Sequence, residues 1–177
     1  DKLFVGPQSA GSNPGPAAYG NVGGLDVTTT DANVYLERIN RADFCGGIRQ
    51  CNGASVETAF ENLIRQEGPS EPTRENKISM ARRVIGVANG NMVEAIRLIS
   101  VNRGLDPRHY SLFAFGGGGG LHACSLAIEL GMKEVIVPRM SSVFSAWGML
   151  QCDIRKDFYQ SSTHNLGTAD LPKTDEA

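Results

Sequence analysis

The chain has 177 residues, with 17 Lys and Arg against 19 Asp and Glu and a formal net charge of −2. That length suits one domain with a real core and makes a second full domain improbable, and the near balance of charge offers no basic field to a nucleic-acid backbone or an anionic membrane. No stretch approaches the roughly 20 apolar residues of a bilayer crossing, and the start lacks the basic-then-apolar profile of a signal peptide, so the chain reads as cytoplasmic, with small-molecule or protein partners.

In chain order, Leu3 to Val5 reads as a short strand, in mid-course, as if the amino terminus were cut. Residues 6–24 (GPQSAGSNPGPAAYGNVGG) are too rich in Gly and Pro for a helix interior or central strand and predict an ordered loop packed on something. Thr28-Thr29-Thr30-Asp31 then offers side-chain oxygens to the free N–H groups of a helix over residues 32–39. Ser55 precedes a second helix over 56–66, with Phe60, Leu63 and Ile64 on one face. The longest helix spans about 76–102, its apolar positions recurring in steps of three and four from Ile78 to Ile99. Gly86 and Gly90 lie one turn apart in it, each costing up to about 1 kcal/mol against alanine, which predicts a close neighbour at the backbone there.

After Gly104 and the Asp106-Pro107 turn, residues 110–115 (YSLFAF) predict a buried strand running straight into Gly116, Gly117, Gly118, Gly119 and Gly120. A helix over 121–130, a Gly131 cap and a second strand over 134–137 follow, with a right-handed crossover expected if the strands are parallel. Residues 145–150 look helical and 153–160 (DIRKDFYQ) suggest a charged edge strand, beyond which the chain is polar and unpatterned. Cys45, Cys51, Cys124 and Cys152 form no CxxC pair, which argues against a zinc site or disulfide framework; they read as reduced, mostly buried thiols.

The order strand, five glycines, helix start brings several unobstructed N–H groups and a positive helix end to the carboxyl edge of a sheet, where anions and nucleotides bind. Backbone without Cβ atoms comes within contact distance of an adenine, ribose or phosphate. No Lys-Ser or Lys-Thr follows, so this is not a Walker A loop, and Leu121 stands where a Rossmann fingerprint has its third glycine. Taken alone, the run is also compatible with a tight turn under close packing.

Other residues carry paired readings. His122, just inside the helix, either contacts a nucleotide or takes a proton, or else it caps and packs the helix. Asn89 and Asn91 flank Gly90 and either read adenine or ribose edges or face solvent. Asp31 is better read as a helix cap than as an anchor for a metal-bound water. Asp106, Arg108 and His109 are better read as a self-bonded turn than as a catalytic trio. PGPAAYG (14–20) reads as a rigid loop more than a substrate channel, Trp147 as core, and Glu94 and Arg97 as a surface pair.

Four segments together are specific: PGPAAYG (14–20), TTTDANVYLERI (28–39), NGNMVEAIRLISVNRGLDPRHYSLFAFGGGGGLHA (89–123) and VFSAWGM (143–149). In this order they resemble the hydantoinase A, 5-oxoprolinase and acetone carboxylase family over roughly residues 5–161. The resemblance implies an α/β chain forming the second lobe of an actin-like, ribonuclease H-like ATPase fold, three-layered, with long helices on a mixed sheet. Residues 1–162 would be a partial hydantoinase/oxoprolinase domain and 163–177 a polar tail opening a truncated carboxyl-terminal region. It also implies an ATP-dependent enzyme acting on cyclic amides such as hydantoins or 5-oxoproline, with the equivalent ketone carboxylase subunit as the alternative. A nucleotide-binding or assembly module without turnover is the alternative of another class. ATP with Mg would be the cofactor, and the implied partners are a hydantoinase B-like subunit, the rest of the same polypeptide and further copies of the parent. Gly116 to Gly120, with His122, Asn89 and Asn91, would meet the adenosine. The family's Asp-x-Gly-Gly-Thr and Gly-Ala-Gly-Gly turns have no counterpart here. Metal ligands are therefore expected mostly outside the segment, its catalytic residues are not identified, and the isolated chain is expected to be inactive.

Overall fold

A computed structural model describes residues 3–20, 26–44, 46–48, 50–159 and 161. Five α-helices and one parallel strand pair are present among them: α1 (Thr29–Tyr35), α2 (Gly53–Glu67), α3 (Arg74–Asn102), β1 (Leu112–Phe113), α4 (Gly119–Leu130), β2 (Val135–Ile136) and α5 (Phe144–Met149). Each of the first three helices begins on the side-chain oxygen of its cap residue. Thr28 accepts from the Asp31 N–H, Asn52 from Ser55 and Thr73 from Asn76, which satisfies donors that have no partner inside the helix.

α3 is the spine. At 29 residues it runs about 43 Å at 1.5 Å per residue, and two separate cores share it. Met80, Ala81, Val84 and Ile85 of its first half join Val34 of α1 and Val56, Phe60 and Ile64 of α2. Val93 of its second half packs with Leu126 and Leu130 of α4, flanked by Met92, Ile96 and Leu112. Lys77 is buried in the first core, and its ammonium reaches Glu57 Oε2 at 2.6 Å and Glu61 Oε1 at 2.8 Å on α2.

The glycine- and proline-rich loop is packed at residues 15–18, which are buried, while residues 6–9 and 11–14 are exposed. Ala17–Tyr19 forms a 3-10 turn with Ala17 and Ala18 buried. The Ala18 N–H donates to Asp31 Oδ1 at 2.7 Å and its carbonyl accepts from the Asn52 N–H at 2.8 Å. Asp31 also accepts from the Thr28 N–H and hydroxyl, so it is a cap and a latch for the loop. Residues 21–25, which complete the loop in sequence, lie outside the described residues.

Several expectations are corrected. Leu3 to Val5 forms no strand; Leu3 and Val5 pack as irregular chain against the first core. Residues 153–159 are likewise not a strand, and Ile154, Phe158 and Tyr159 are exposed, so no partner edge exists for them among the described residues. The described sheet is two parallel strands, with Leu112 opposite Val135 and Phe113 opposite Ile136, and it is not mixed. The helix at 32–39 starts at Thr29 and stops at Tyr35, while α4 begins inside the glycine run instead of after it.

Four further readings change. A Cβ built at Gly86 or Gly90 meets nothing within 4 Å, so no described neighbour approaches the helix there. Of the cysteines, Cys51 is buried, Cys124 and Cys152 are exposed, and Cys45 lies outside the described residues. Trp147 is 44% exposed, not core; it stacks on Phe144 at 5.5 Å, in a chain of rings that continues to Phe113 and Phe115. Arg97 donates to the Glu129 carbonyl on α4 at 3.2 Å instead of pairing with Glu94.

Among the described residues one helix is long and apolar enough to cross a membrane, against the reading of the sequence: α3 holds an 18-residue window of mean hydropathy 1.3, of which 28% is buried. Its buried positions face α1, α2 and α4, while Leu98, Ile99 and Val101 near its end are exposed. A core helix passes the same test of length and hydropathy, and the ion-paired Lys77 in its second turn is placed as a core helix places it.

Candidate functional site at the glycine corner

β1 carries the chain to the corner with its backbone paired on β2: the Leu112 N–H donates to the Glu134 carbonyl and the Ala114 N–H to Ile136, both at 2.9 Å. Gly116 then turns the chain at φ +89°, a conformation L side chains rarely adopt, and its N–H donates to the Ser141 carbonyl at 2.7 Å. Past this point the glycines are not explained by backbone shape. Gly117, Gly118 and Gly120 would each carry a Cβ into open space, and one on Gly119 would meet only the Ala114 carbonyl carbon at 3.9 Å. The N–H groups of Gly117 to Gly120 make no backbone hydrogen bond among the described residues, and α4 starts without a side-chain cap. Four amide donors without a backbone partner thus lie in sequence at the amino terminus of α4, and Gly118 and Gly119 among them line a cleft.

A cleft of about 300 Å³ adjoins it, lined among others by Met92, Phe115, Gly118, Gly119, His122 and Leu126. Most of this wall is apolar; Phe113 and Phe115 line it, and the ring of Phe144 packs against both. That combination of apolar walls and a few polar groups is the usual chemistry of small-molecule pockets, and this one lies at the small end of their range of roughly 300–1,000 Å³. It suits part of a ligand.

His122 Nδ1 lies 2.7 Å from Asn89 Oδ1. Burial, and secondarily the cationic Arg38, hold the His122 pKa below its ordinary value, so the ring is neutral at pH 7. Asn89 is buried. His122 thus lines the cleft with Gly118 and Gly119, and Asn89, which does not line it, holds the ring from α3. Asn91 faces elsewhere: its amide donates to the Val5 carbonyl at 3.0 Å and the residue is exposed.

The LDPRHY segment is a self-bonded turn. Arg108 contacts the Asp106 carboxylate through Nε at 3.0 Å and Nη2 at 2.7 Å, and its backbone N–H donates to the same group. The Arg108 side-chain and backbone hydrogen bonds lower the Asp106 pKa to about 2. Among the described residues no group of three or more His, Cys, Asp or Glu stands close enough to hold a metal ion.

Sequence reading did not single out Met92, Phe115, Leu126 or Ser141. Helical spacing carried part of the signal: Met92 follows Asn89 by three positions and Leu126 follows His122 by four, so each shares a face with a flagged residue. Nothing local marks Ser141, whose carbonyl meets Gly116 only through the fold.

A strand, an open glycine corner and a helix start beside a small apolar cleft make up an α/β unit. The chain belongs to the hydantoinase/oxoprolinase family, whose model matches residues 1–158. It is similar to the alpha subunit of caprolactamase from Pseudomonas jessenii, 39% identical over 158 residues, covering 88% of this chain and 21% of that protein. The crystal structure of the ATP-dependent caprolactamase from that organism superposes with a TM-score of 0.73 at 38% identity, over 86% of this chain and 21% of that one. The 5-oxoprolinase PfmaA of Pestalotiopsis fici is 35% identical over 170 residues, 93% of this chain and 13% of that protein. A nucleotide-free acetone carboxylase structure, from work on ATP-dependent acetone carboxylation, superposes with a TM-score of 0.72 at 26% identity, over 83% of this chain and 20% of that one. The chain thus spans about a fifth or less of the length of these relatives.

Proposed function

We propose that this chain supplies the adenosine-facing wall of the ATP site in an ATP-dependent cyclic-amide hydrolase, as part of the second lobe of an actin-like ATPase fold. One observation carries the reading: the glycines after Gly116 are required neither by backbone conformation nor by packing, and they leave four amide donors and bare backbone open beside a cleft. Glycine in the first turn of a helix weakens it, and access for a ligand accounts for keeping it there.

ATP supplies the means to activate a carbonyl oxygen, turning an unreactive amide carbonyl into a good electrophile. In this reading the residues of the chain hold and orient. Gly117 to Gly120 receive the ribose and base-proximal part of the nucleotide, Met92, Phe115 and Leu126 exclude water from the base, and Asn89 with His122 contacts its polar edge. Asn91, engaged by Val5, contributes through the packing of α3. Mg²⁺ ligands and the groups that act on phosphate and substrate lie in other parts of the parent polypeptide or in a hydantoinase B-like partner subunit, and the isolated segment does not turn over.

The cyclic-amide reading draws support from the caprolactamase and 5-oxoprolinase relatives. The likeness to acetone carboxylase favours a second reading, the equivalent subunit of a ketone carboxylase. Photolabelling of the chain with 8-azido-ATP tests the wall: saturable labelling within residues 113–126, competed by ATP, is expected, and labelling elsewhere or without competition rejects it. Turnover of the full parent assembly with caprolactam, 5-oxoproline, hydantoin or acetone, with and without ATP and bicarbonate, separates the two enzyme readings. ATP-independent hydrolysis would sink both.

A further inference from the structure

The contact between Asn89 and His122 specifies more than proximity. A neutral imidazole carries one proton, on one of two nitrogens, and the group bonded to one nitrogen decides what the other can do. Here Nδ1 faces a carbonyl oxygen at 2.7 Å. With the Asn89 amide oxygen at this contact, the oxygen accepts and Nδ1 holds the proton, which leaves Nε2 with a lone pair. Asn89 is 8% exposed, so water competes poorly for its oxygen. Among the described residues Nε2 has no hydrogen-bond partner, and His122 lines the cleft.

We propose that Asn89 is a positioning residue that fixes His122 as the Nδ1–H tautomer, and that Nε2 serves the cleft as an acceptor selecting a nucleoside that presents a hydrogen-bond donor. This inference rests on the adenosine reading above. The donor is either the 6-amino group of adenine or the ribose 2′-hydroxyl; both offer the same chemistry. In a mostly apolar wall, a single acceptor discriminates strongly, because a ligand bearing another acceptor at that point leaves two lone pairs opposed and unpaired.

The test has a spectroscopic arm on this chain and a binding arm on the full parent protein, which supplies the phosphate-facing groups. Long-range ¹H–¹⁵N spectra of the His122 ring at pH 7.5 are expected to show Nδ1 protonated and Nε2 bare. Asn89→Leu should move the proton to Nε2 while the far-ultraviolet circular dichroism is unchanged. In the second arm, dissociation constants are measured for ATP, inosine triphosphate and 2′-deoxyATP. A base-directed contact weakens inosine triphosphate by about tenfold relative to ATP and spares 2′-deoxyATP; a contact to the ribose 2′-hydroxyl does the reverse. In His122→Phe and in Asn89→Leu the preference should fall to within about twofold. A protonated Nε2 in the unsubstituted chain, or equal affinity for all three nucleotides, overturns the inference and leaves the adenosine reading standing. No saturable binding of any of the three overturns the adenosine reading and this inference with it.

Discussion

Asn89 on α3 and His122 on α4 meet at 2.7 Å although 33 positions separate them in sequence. Their contact joins the spine of the fold to the helix that the glycine run begins, at the edge of the cleft where Gly118 and Gly119 also lie. A polar pair inside a largely apolar helix interface is costly unless it is satisfied, so its state should be readable in the stability of the protein.

The first prediction follows from the depressed His122 pKa, caused by burial and then by Arg38. As pH falls below the ordinary value of 6.5, the unfolded chain takes up a proton before the folded one does. The stability associated with the neutral ring is therefore complete above about pH 6.5 and declines as pH drops towards the lower folded value. Urea midpoints at pH 7.5 and 5.0 should fall further for the unsubstituted chain than for His122→Phe. Equal falls would show that the ring is not held neutral by its surroundings.

Glycine substitutions separate conformation from access. Gly116→Ala should cost about 1–2 kcal/mol, because φ is +89° there. Gly120→Ala, inside α4 with open space at its Cβ, should instead stabilise the fold by about 0.5–1 kcal/mol. Gly118→Val, at the cap position of α4, should cost about 1 kcal/mol and weaken ATP binding tenfold or more, beyond that loss, by covering the amides. A Gly118→Val chain that binds ATP normally would rule out the corner as the adenosine wall.

Much of this site was legible from the chain because its strongest signals are local. Five consecutive glycines between an apolar run and a helix pattern define a corner without knowledge of anything distant, and Asp31 in TTTDAN was readable as a cap. Contacts across the fold were not legible. Asn89 and Asn91 look alike in sequence, yet one meets His122 and the other meets Val5, because a helix turns about 100° per residue and two positions therefore face about 200° apart. Strand assignments at 3–5 and 153–160 failed for a related reason: alternation and β-branching describe a segment able to pair, while pairing itself needs an edge. Trp147 was read as core from apolar neighbours that, in three dimensions, share its exposed face.

Lys77 supports a third prediction. Burial, the largest single effect, would lower its pKa, but the hydrogen bonds and negative charges of Glu57 and Glu61 together outweigh it and hold the pKa above the ordinary value. Its contribution to stability is present below the unfolded value of about 10.4 and is lost as pH rises through the higher folded value. Lys77→Met removes the cation and leaves two carboxylates facing one another. Because both are partly exposed, with side chains 46% and 35% accessible, the cost should be about 1–2 kcal/mol, below that of breaking a fully buried pair. Adding Glu61→Gln to Lys77→Met should recover part of the loss in urea unfolding, and an additive double variant would show that the charges do not interact.

Asp31 distinguishes a structural carboxylate from a metal-directed one. It is fully buried and accepts from the Ala18 N–H at 2.7 Å, the Thr28 N–H at 2.8 Å and the Thr28 hydroxyl at 2.7 Å. Removing it strands two backbone donors, one of them in the loop at 14–20, and each unsatisfied buried donor costs about 1–3 kcal/mol. Asp31→Ala should therefore destabilise the protein by about 3 kcal/mol, and Asp31→Asn, which retains one acceptor oxygen, by less. Hydrogen exchange at the Ala18 amide should accelerate in Asp31→Ala beyond the change at the amides of α4, because the latch is local to the loop. If the variant instead kept its stability and the Ala18 amide stayed protected, the loop would be held by α2 alone, through the Asn52 N–H on the Ala18 carbonyl, and the buried carboxylate would require another explanation.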